Sequence, residues 1–403
     1  MNYPGVISCN KSVYEKLDLM RDGIIDGHAP GVMGKRLNAY VTAGVMTDHE
    51  CTRVEELEEK VSKGMYVHIR EGSATRNLKD LIVGVTPENS NRILFCTDDK
   101  QPYDIEKEGH INYNVRLAIE NGINPIMAIK MATINTAQCY GLKNKGAVAP
   151  GYDADLIILN DDLSEISIGE VFKKGQLVAK DGEALFDIET IEDSRVMNTV
   201  NLDNIDNITF DIPLKSSIVK VIQLIEHNII TKSVIRKVDV ENNNFKYNSK
   251  LDILKLAVVE RHKGTGNVGL GLVEGYGLKG GAVALTIAHD SHNIIVVGDN
   301  DEDMRVAIKE LKRVNGGITI CANGSVLQTL PLEVGGLMTN SSVEVVGNKV
   351  KEMTKIACEK GINTNIDPFL TLAFLALPVI PELKLTDCGL FNVDEFSFVD
   401  IEE

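Results

Sequence analysis

Residues 1–140 repeat one pattern: a short apolar run, a polar residue or pair at its end, then a longer stretch with helical spacing. The short runs are Gly23–His28, Gly44–Asp48, Met65–Ile69 and Arg92–Cys96. Between them, Lys35–Ala43, Arg53–Lys63 and Asn77–Val83 carry the helical spacing. Val54, Leu57 and Val61 stand three and four apart, with Gly64 as the stop. Val115–Asn121 and Pro125–Tyr140 add two more helices. Alternation at this pitch confines the region to βα units around a parallel sheet, closed as a barrel or doubly wound.

Residues 146–190 change character: Gly146–Leu159 and Val171–Ala179, read as short strands separated by turn residues, predict a segment of a small β-domain. Residues 191–215, rich in Asn and Asp, are expected to be a connecting segment. Residues 216–403 predict an α+β domain. Within it Asn300 caps a helix that stops at Gly316-Gly317, and Asn323-Gly324 turns a hairpin between Ile318–Ala322 and Ser325–Leu330.

Composition narrows the function. Lys plus Arg number 42 against 58 Asp plus Glu, a net charge of −16, which argues against nucleic acid or an anionic membrane as partner. Seven scattered cysteines without a C-x-x-C pair predict a reduced, cytoplasmic protein, with neither a disulfide framework nor a thiolate zinc site. No apolar run is long enough to span a bilayer.

The strand ends carry the chemistry. His28 ends the first run and His49 the second, in Thr47-Asp48-His49-Glu50. Arg70 and Glu71 end the third, and Asp98-Asp99 the fourth. The two histidines are 21 residues apart, one βα unit, which places them at the same rim, where barrels keep their catalytic residues. Neutral imidazole with a nearby carboxylate suits zinc, iron or manganese. For a single histidine the bland reading is a loop residue bonded to backbone. For Arg70 and Glu71 it is an ion pair with each other.

Longer motifs carry a resemblance. Asp26-Gly-His-Ala-Pro-Gly, Leu37-Asn-Ala-Tyr, Thr47-Asp-His-Glu, Arg70-Glu-Gly-Ser, Cys96-Thr-Asp-Asp, Gly146–Leu159, Glu260-Arg-His and Ala288-His-Asp-Ser-His-Asn are similar to those of bacterial adenine deaminases, in the amidohydrolase superfamily. The resemblance runs the length of the chain. It implies an α/β fold: the second half of a metal-dependent (β/α)8 barrel over residues 1–145, a small β-sandwich segment over 146–190, and a C-terminal α+β domain over 216–403. It implies hydrolysis of adenine to hypoxanthine and ammonia with Mn2+ or Fe2+, two ions in the intact family architecture, in purine salvage. By motif, His28 and His49 are the metal ligands and Asp98 the carboxylate that both ligates and moves the proton. Arg70 and Glu71 are expected on the catalytic side, and His289, Asp290, His292 and His262 on the substrate side. A polar turn between buried strands explains His289–His292 equally well from the residues alone.

The family pattern also calls for a His-x-His on the first barrel strand and a bridging Glu on the fourth. No His-x-His stands in this sequence, and its one His-x-x-His is His289/His292. The expectation is a chain lacking the first half of the barrel, which turns over little or no adenine unaided. It would work as a homo-oligomer or with an N-terminal partner. Two other readings stand beside it: a different cyclic-amidine or amide hydrolase, and a non-catalytic fragment or subunit. Gly275-Tyr-Gly277-Leu-Lys-Gly280 matches G-x-G-x-x-G, but a strand-like run follows it, so no helix N-terminus is there to hold a phosphate.

Overall fold

The computed structural model describes residues 1–403 except 2, 161, 162, 164, 190–192, 227 and 403. The chain divides into two compact units, Met1–Glu189 and Thr190–Glu403.

The first unit is built on a three-stranded parallel sheet, β1 (Thr47–Asp48), β2 (Tyr66–Arg70) and β3 (Ile93–Cys96), in that order. A parallel bridge from Ile25 to Val45 carries the same direction one step further, to the residues before His28. Every residue of β2 is buried, as a parallel strand covered on both faces requires. Val67, Ile69, Ile93 and Phe95 face the helices and pack with Leu57, Leu81, Val115, Ala118, Ala128 and Met131. Tyr66 and Leu94 take the other face with Cys139, and period 2 puts His68 and Arg70 on that face too. Each fully buried Leu or Ile in these clusters contributes ~1.5–3 kcal/mol to the stability of the frame that carries the strand ends. Gly27 shows how closely the first two runs approach: a Cβ there would stand 2.0 Å from the Thr47 carbonyl oxygen. The unit ends in an antiparallel sheet of β4 (Leu156–Leu159), β5 (Ile168–Lys173), β6 (Gln176–Lys180) and β7 (Glu183–Ala184).

The second unit centres on an eight-stranded, largely antiparallel sheet. Its strands are β8 (Ile218–Leu224), β9 (Thr231–Lys237), β12 (Ile253–Val259), β13 (Val268–Glu274), β14 (Ala282–Leu285), β15 (Ile294–Gly298), β16 (Gly317–Ala322) and β17 (Ser325–Pro331). Their spatial order is 17-16-14-15-12-13-8-9, and β13 runs parallel to β8. A hairpin of β10 (Asp239–Glu241) and β11 (Asn244–Lys246) and a meander of β18 (Leu383–Thr386), β19 (Gly389–Asn392) and β20 (Ser397–Phe398) complete the strands. The helix Asp301–Arg313 is capped by the Asn300 side chain, which accepts the Asp303 N–H at 2.8 Å, a bond worth ~1 kcal/mol. That helix packs Met304, Ala307, Ile308 and Leu311 on the sheet.

Residues 200–214, read as a connector, instead bury Val200, Leu202, Ile205, Phe210, Ile212 and Leu214 in the second unit. Among the described residues no helix is long and apolar enough to cross a membrane.

Candidate metal centre

His28, His49, Arg70 and Asp98 come together at the C-terminal ends of the parallel strands of the first unit. Glu50, which the strand-end reading passed over, stands at their centre. His28 Nδ1 lies 3.3 Å and His49 Nε2 3.2 Å from the same oxygen, Glu50 Oε1. The two imidazole rings are tilted, with centroids 5.6 Å apart. Arg70 grips Glu50 with both terminal nitrogens, Nη1 to Oε1 at 2.7 Å and Nη2 to Oε2 at 3.0 Å. Its Nη1 also donates to Asp98 Oδ2 at 2.7 Å.

Burial shapes the electrostatics. Arg70 and Glu50 are buried, whereas the Asp98 side chain keeps 34% of its surface open. Burial alone would push the Glu50 carboxyl up. The Arg70 charge and the hydrogen bonds from His28 and His49 outweigh burial and hold it well below the usual carboxylate range. Burial likewise pulls His49 down, but the bond to Glu50 and that carboxylate's charge leave it above the ordinary histidine value. Burial lifts the Cys96 thiol to about 12, so it stays protonated and inert at neutral pH.

The donor set fits a divalent ion. His28, His49 and Glu50 offer two nitrogens and an oxygen, all within 4.8 Å of one another. The other ring nitrogen of His28, Nε2, is buried without a hydrogen-bond partner. Imidazole and carboxylate suit iron, manganese or zinc. Glu71 stands outside this group: its carboxylate lies 3.4 Å from Arg76 Nη1 and accepts the Leu78 N–H at 3.3 Å, which fixes the loop after β2.

The second histidine group belongs to the second unit. His289, Asp290 and His292 lie in the turn between β14 and β15, with His289 stacked on Phe374 at 4.7 Å and 6.0 Å from the His292 ring. Burial, with His289 and Arg261 nearby, holds His292 below its ordinary value. The Glu260-Arg-His motif clamps this turn. Arg261 Nε donates to the His292 carbonyl, and His262 Nε2 lies 2.7 Å from the Ser291 carbonyl oxygen. Glu260 accepts the backbone N–H groups of His262, Lys263 and Thr265.

Arg261 is 0% exposed. Its guanidinium also bonds the Thr199 and Gly335 carbonyls, at 3.2 and 3.1 Å, and burial lowers its pKa to about 10. Arg261→Met would orphan those carbonyls at ~1–3 kcal/mol each, so urea denaturation is expected to show a loss of at least ~3 kcal/mol. A loss below ~1 kcal/mol would contradict the clamp.

Comparison with known proteins agrees with both units. Residues 12–178 match the amidohydrolase family and residues 228–397 the adenine deaminase C-terminal domain. An adenine deaminase of Clostridium acetobutylicum is 50% identical over 403 residues, covering 99% of this chain and 70% of that protein. The adenine deaminase of Nitratidesulfovibrio vulgaris and adenine deaminase 2 of Carboxydothermus hydrogenoformans are each 48% identical, covering all of this chain and 70% of theirs. Identity at that level, sustained from end to end of the sequence, places this chain in the adenine deaminase family of amidohydrolases.

Proposed function

We propose that the chain hydrolyses adenine to hypoxanthine and ammonia at a centre formed by His28, His49, Glu50, Arg70 and Asp98, on the second half of a (β/α)8 barrel. The observation that carries this reading is the convergence of two imidazole nitrogens on one Glu50 oxygen, with Asp98 tied to the same Arg70. His28, His49 and Glu50 would hold the ion, manganese or iron, and Asp98 stands beside them. A bound divalent ion supplies Lewis acidity and lowers the pKa of water at neutral pH.

The remaining work falls to side chains. Asp98, the most open carboxylate of the group, takes a proton from the attacking water and returns it to the exocyclic nitrogen. A C–O bond forms at C6, the C6–N bond breaks, and ammonia leaves with that proton. Arg70 keeps Asp98 and Glu50 aimed, and its charge keeps Glu50 ionised. Glu71 shapes the loop beside the site. His289, Asp290, His292 and His262 are assigned to substrate on the strength of their motif. Seven free cysteines support a reducing, cytoplasmic setting, and hydrolysis of adenine would serve purine salvage.

The test is a substrate panel with ammonia detection, using purified chain supplied with Mn2+ or Fe2+. Ammonia and hypoxanthine from adenine, and none from cytosine or a cyclic amide, are expected. Turnover by the chain on its own is expected to be slow, because no His-x-His stands in it, and to rise when a segment bearing that pair is added. Preferential cleavage of the cyclic amide would replace this reading with another amidohydrolase reaction.

A further inference from the structure

A second group of potential metal donors lies one residue from the first. Asp48, Cys51 and Glu56 are all buried, with donor atoms within 4.8 Å of one another. It needs no ion, because the chain supplies the cation. Lys60 Nζ lies 2.8 Å from Asp48 Oδ2, 2.7 Å from Glu56 Oε1 and 2.8 Å from the Ala29 carbonyl oxygen. An ammonium has three donors, and all three are used.

What this cluster grips is backbone next to the metal centre. Asp48 accepts the Ala29 N–H at 2.8 Å and the Glu50 N–H at 3.0 Å, and Glu56 accepts the Gly31 and Thr52 N–H groups at 2.8 and 3.3 Å. The residues just after His28 and just after His49 are therefore tied to one ammonium. That ammonium stands on the helix Val54–Ser62, where Glu56 and Lys60 share a face at i,i+4. Three buried charges are poor stabilisers, since desolvation offsets most of their attraction and apolar residues of similar volume often do as well. Their exact, fully satisfied geometry points to precision instead.

We infer that Lys60, with Asp48 and Glu56, is a positioning unit that sets His28 against His49 and Glu50 and thereby sets the metal affinity of the site. The inference rests on the metal-centre reading above. None of the three residues needs to touch the ion.

The test is a Co2+ titration of the purified full chain, followed by visible absorption, with far-ultraviolet circular dichroism as the check of folding. Lys60→Arg keeps the charge and loses the three-point geometry, and Lys60→Met removes both. Each folded variant is expected to bind Co2+ ~10–100-fold more weakly than wild type, with an altered cobalt spectrum. A purely structural role would lower the melting temperature and leave affinity and spectrum alone. Folded Lys60→Arg with Co2+ affinity within twofold of wild type and the same spectrum overturns the inference. Should both Lys60 variants fail to fold, Glu56→Gln carries the same test with the same two outcomes. Absence of saturable Co2+ binding by wild type overturns the metal-centre reading itself, and the positioning role falls with it.

Discussion

His49→Ala is expected to weaken divalent-cation binding at least ~100-fold and to remove most of the thermal stabilisation that Mn2+ gives the wild type. The substitution deletes Nε2, one of the three donor atoms that lie within 4.8 Å of one another. Loss of a direct ligand should cost at least as much as loss of a residue that merely orients one, which is ~10–100-fold. Linkage turns affinity into a melting temperature. At a hundredfold excess over the dissociation constant, a ligand stabilises the folded state by ~2.7 kcal/mol, and a hundredfold weaker site retains only ~0.4 kcal/mol at the same concentration. For a unit of 189 residues, that difference is an upward shift of ~5–9 °C in wild type that the variant nearly loses. His110→Ala is the control, because that ring bonds Thr97 Oγ1 at 3.1 Å and is not one of the three grouped donors. Equal Mn2+-induced shifts in wild type and His49→Ala would remove His49 from the ligand set.

Lys384→Met is expected to stabilise the protein below pH 7 by several kcal/mol and to flatten its stability between pH 7 and 10.5. Lys384 lies on β18, is 0% exposed, and donates a single hydrogen bond, to the Ile229 carbonyl at 3.0 Å. Burial lowers its pKa from the usual 10.5 to about 7. The folded pKa is thus below the unfolded one. Between those two values the unfolded state holds a proton that the folded state has released, so stability rises with pH, by ~1.4 kcal/mol per pH unit. Below about pH 7 both states are protonated and the full penalty, ~5 kcal/mol, is present. Methionine fills the same space without the charge and forfeits one hydrogen bond of ~1 kcal/mol, a net gain at pH 6 and a small loss at pH 10.5. Urea midpoints of both proteins from pH 6 to 10.5 check this. Parallel pH profiles would show that Lys384 does not titrate in that window.

How far the strand ends could be read depended on which rule applied. His28, His49, Arg70 and Asp98 were legible because each closes a βα unit, and hydrophobic periodicity marks those units without knowledge of the fold. Glu50 was not. Period 2 would send it to the face opposite His49, but β1 ends at Asp48, so alternation no longer governs either residue. Its carboxylate then turns back between the two imidazoles. The burial of residues 200–214 was illegible for a related reason. Val200 and Leu202, and then Phe210, Ile212 and Leu214, alternate at the strand period, but Ile205 breaks the run and the Asn and Asp between them signal turns. Only the surface they cover reveals them as core.

Glu260-Arg-His262 and Lys384 show the same divide. A charged residue at a strand end or in a strand reads as solvated, because water is the usual solution for a charge. Arg261 instead spends its donors on backbone carbonyls, and Lys384 spends one of its donors in the same way.

The sequence by itself determined the parallel βα frame, the rim that carries the two histidines and the aspartate, and, through its long motifs, the family. Those depend on local periodicity and on residue order. Which carboxylate completes the centre, which cations neutralise the buried carboxylates, and which turn Arg261 clamps were decided by tertiary structure alone. Each depends on distances between groups roughly 10 to 60 residues apart, which no local period encodes.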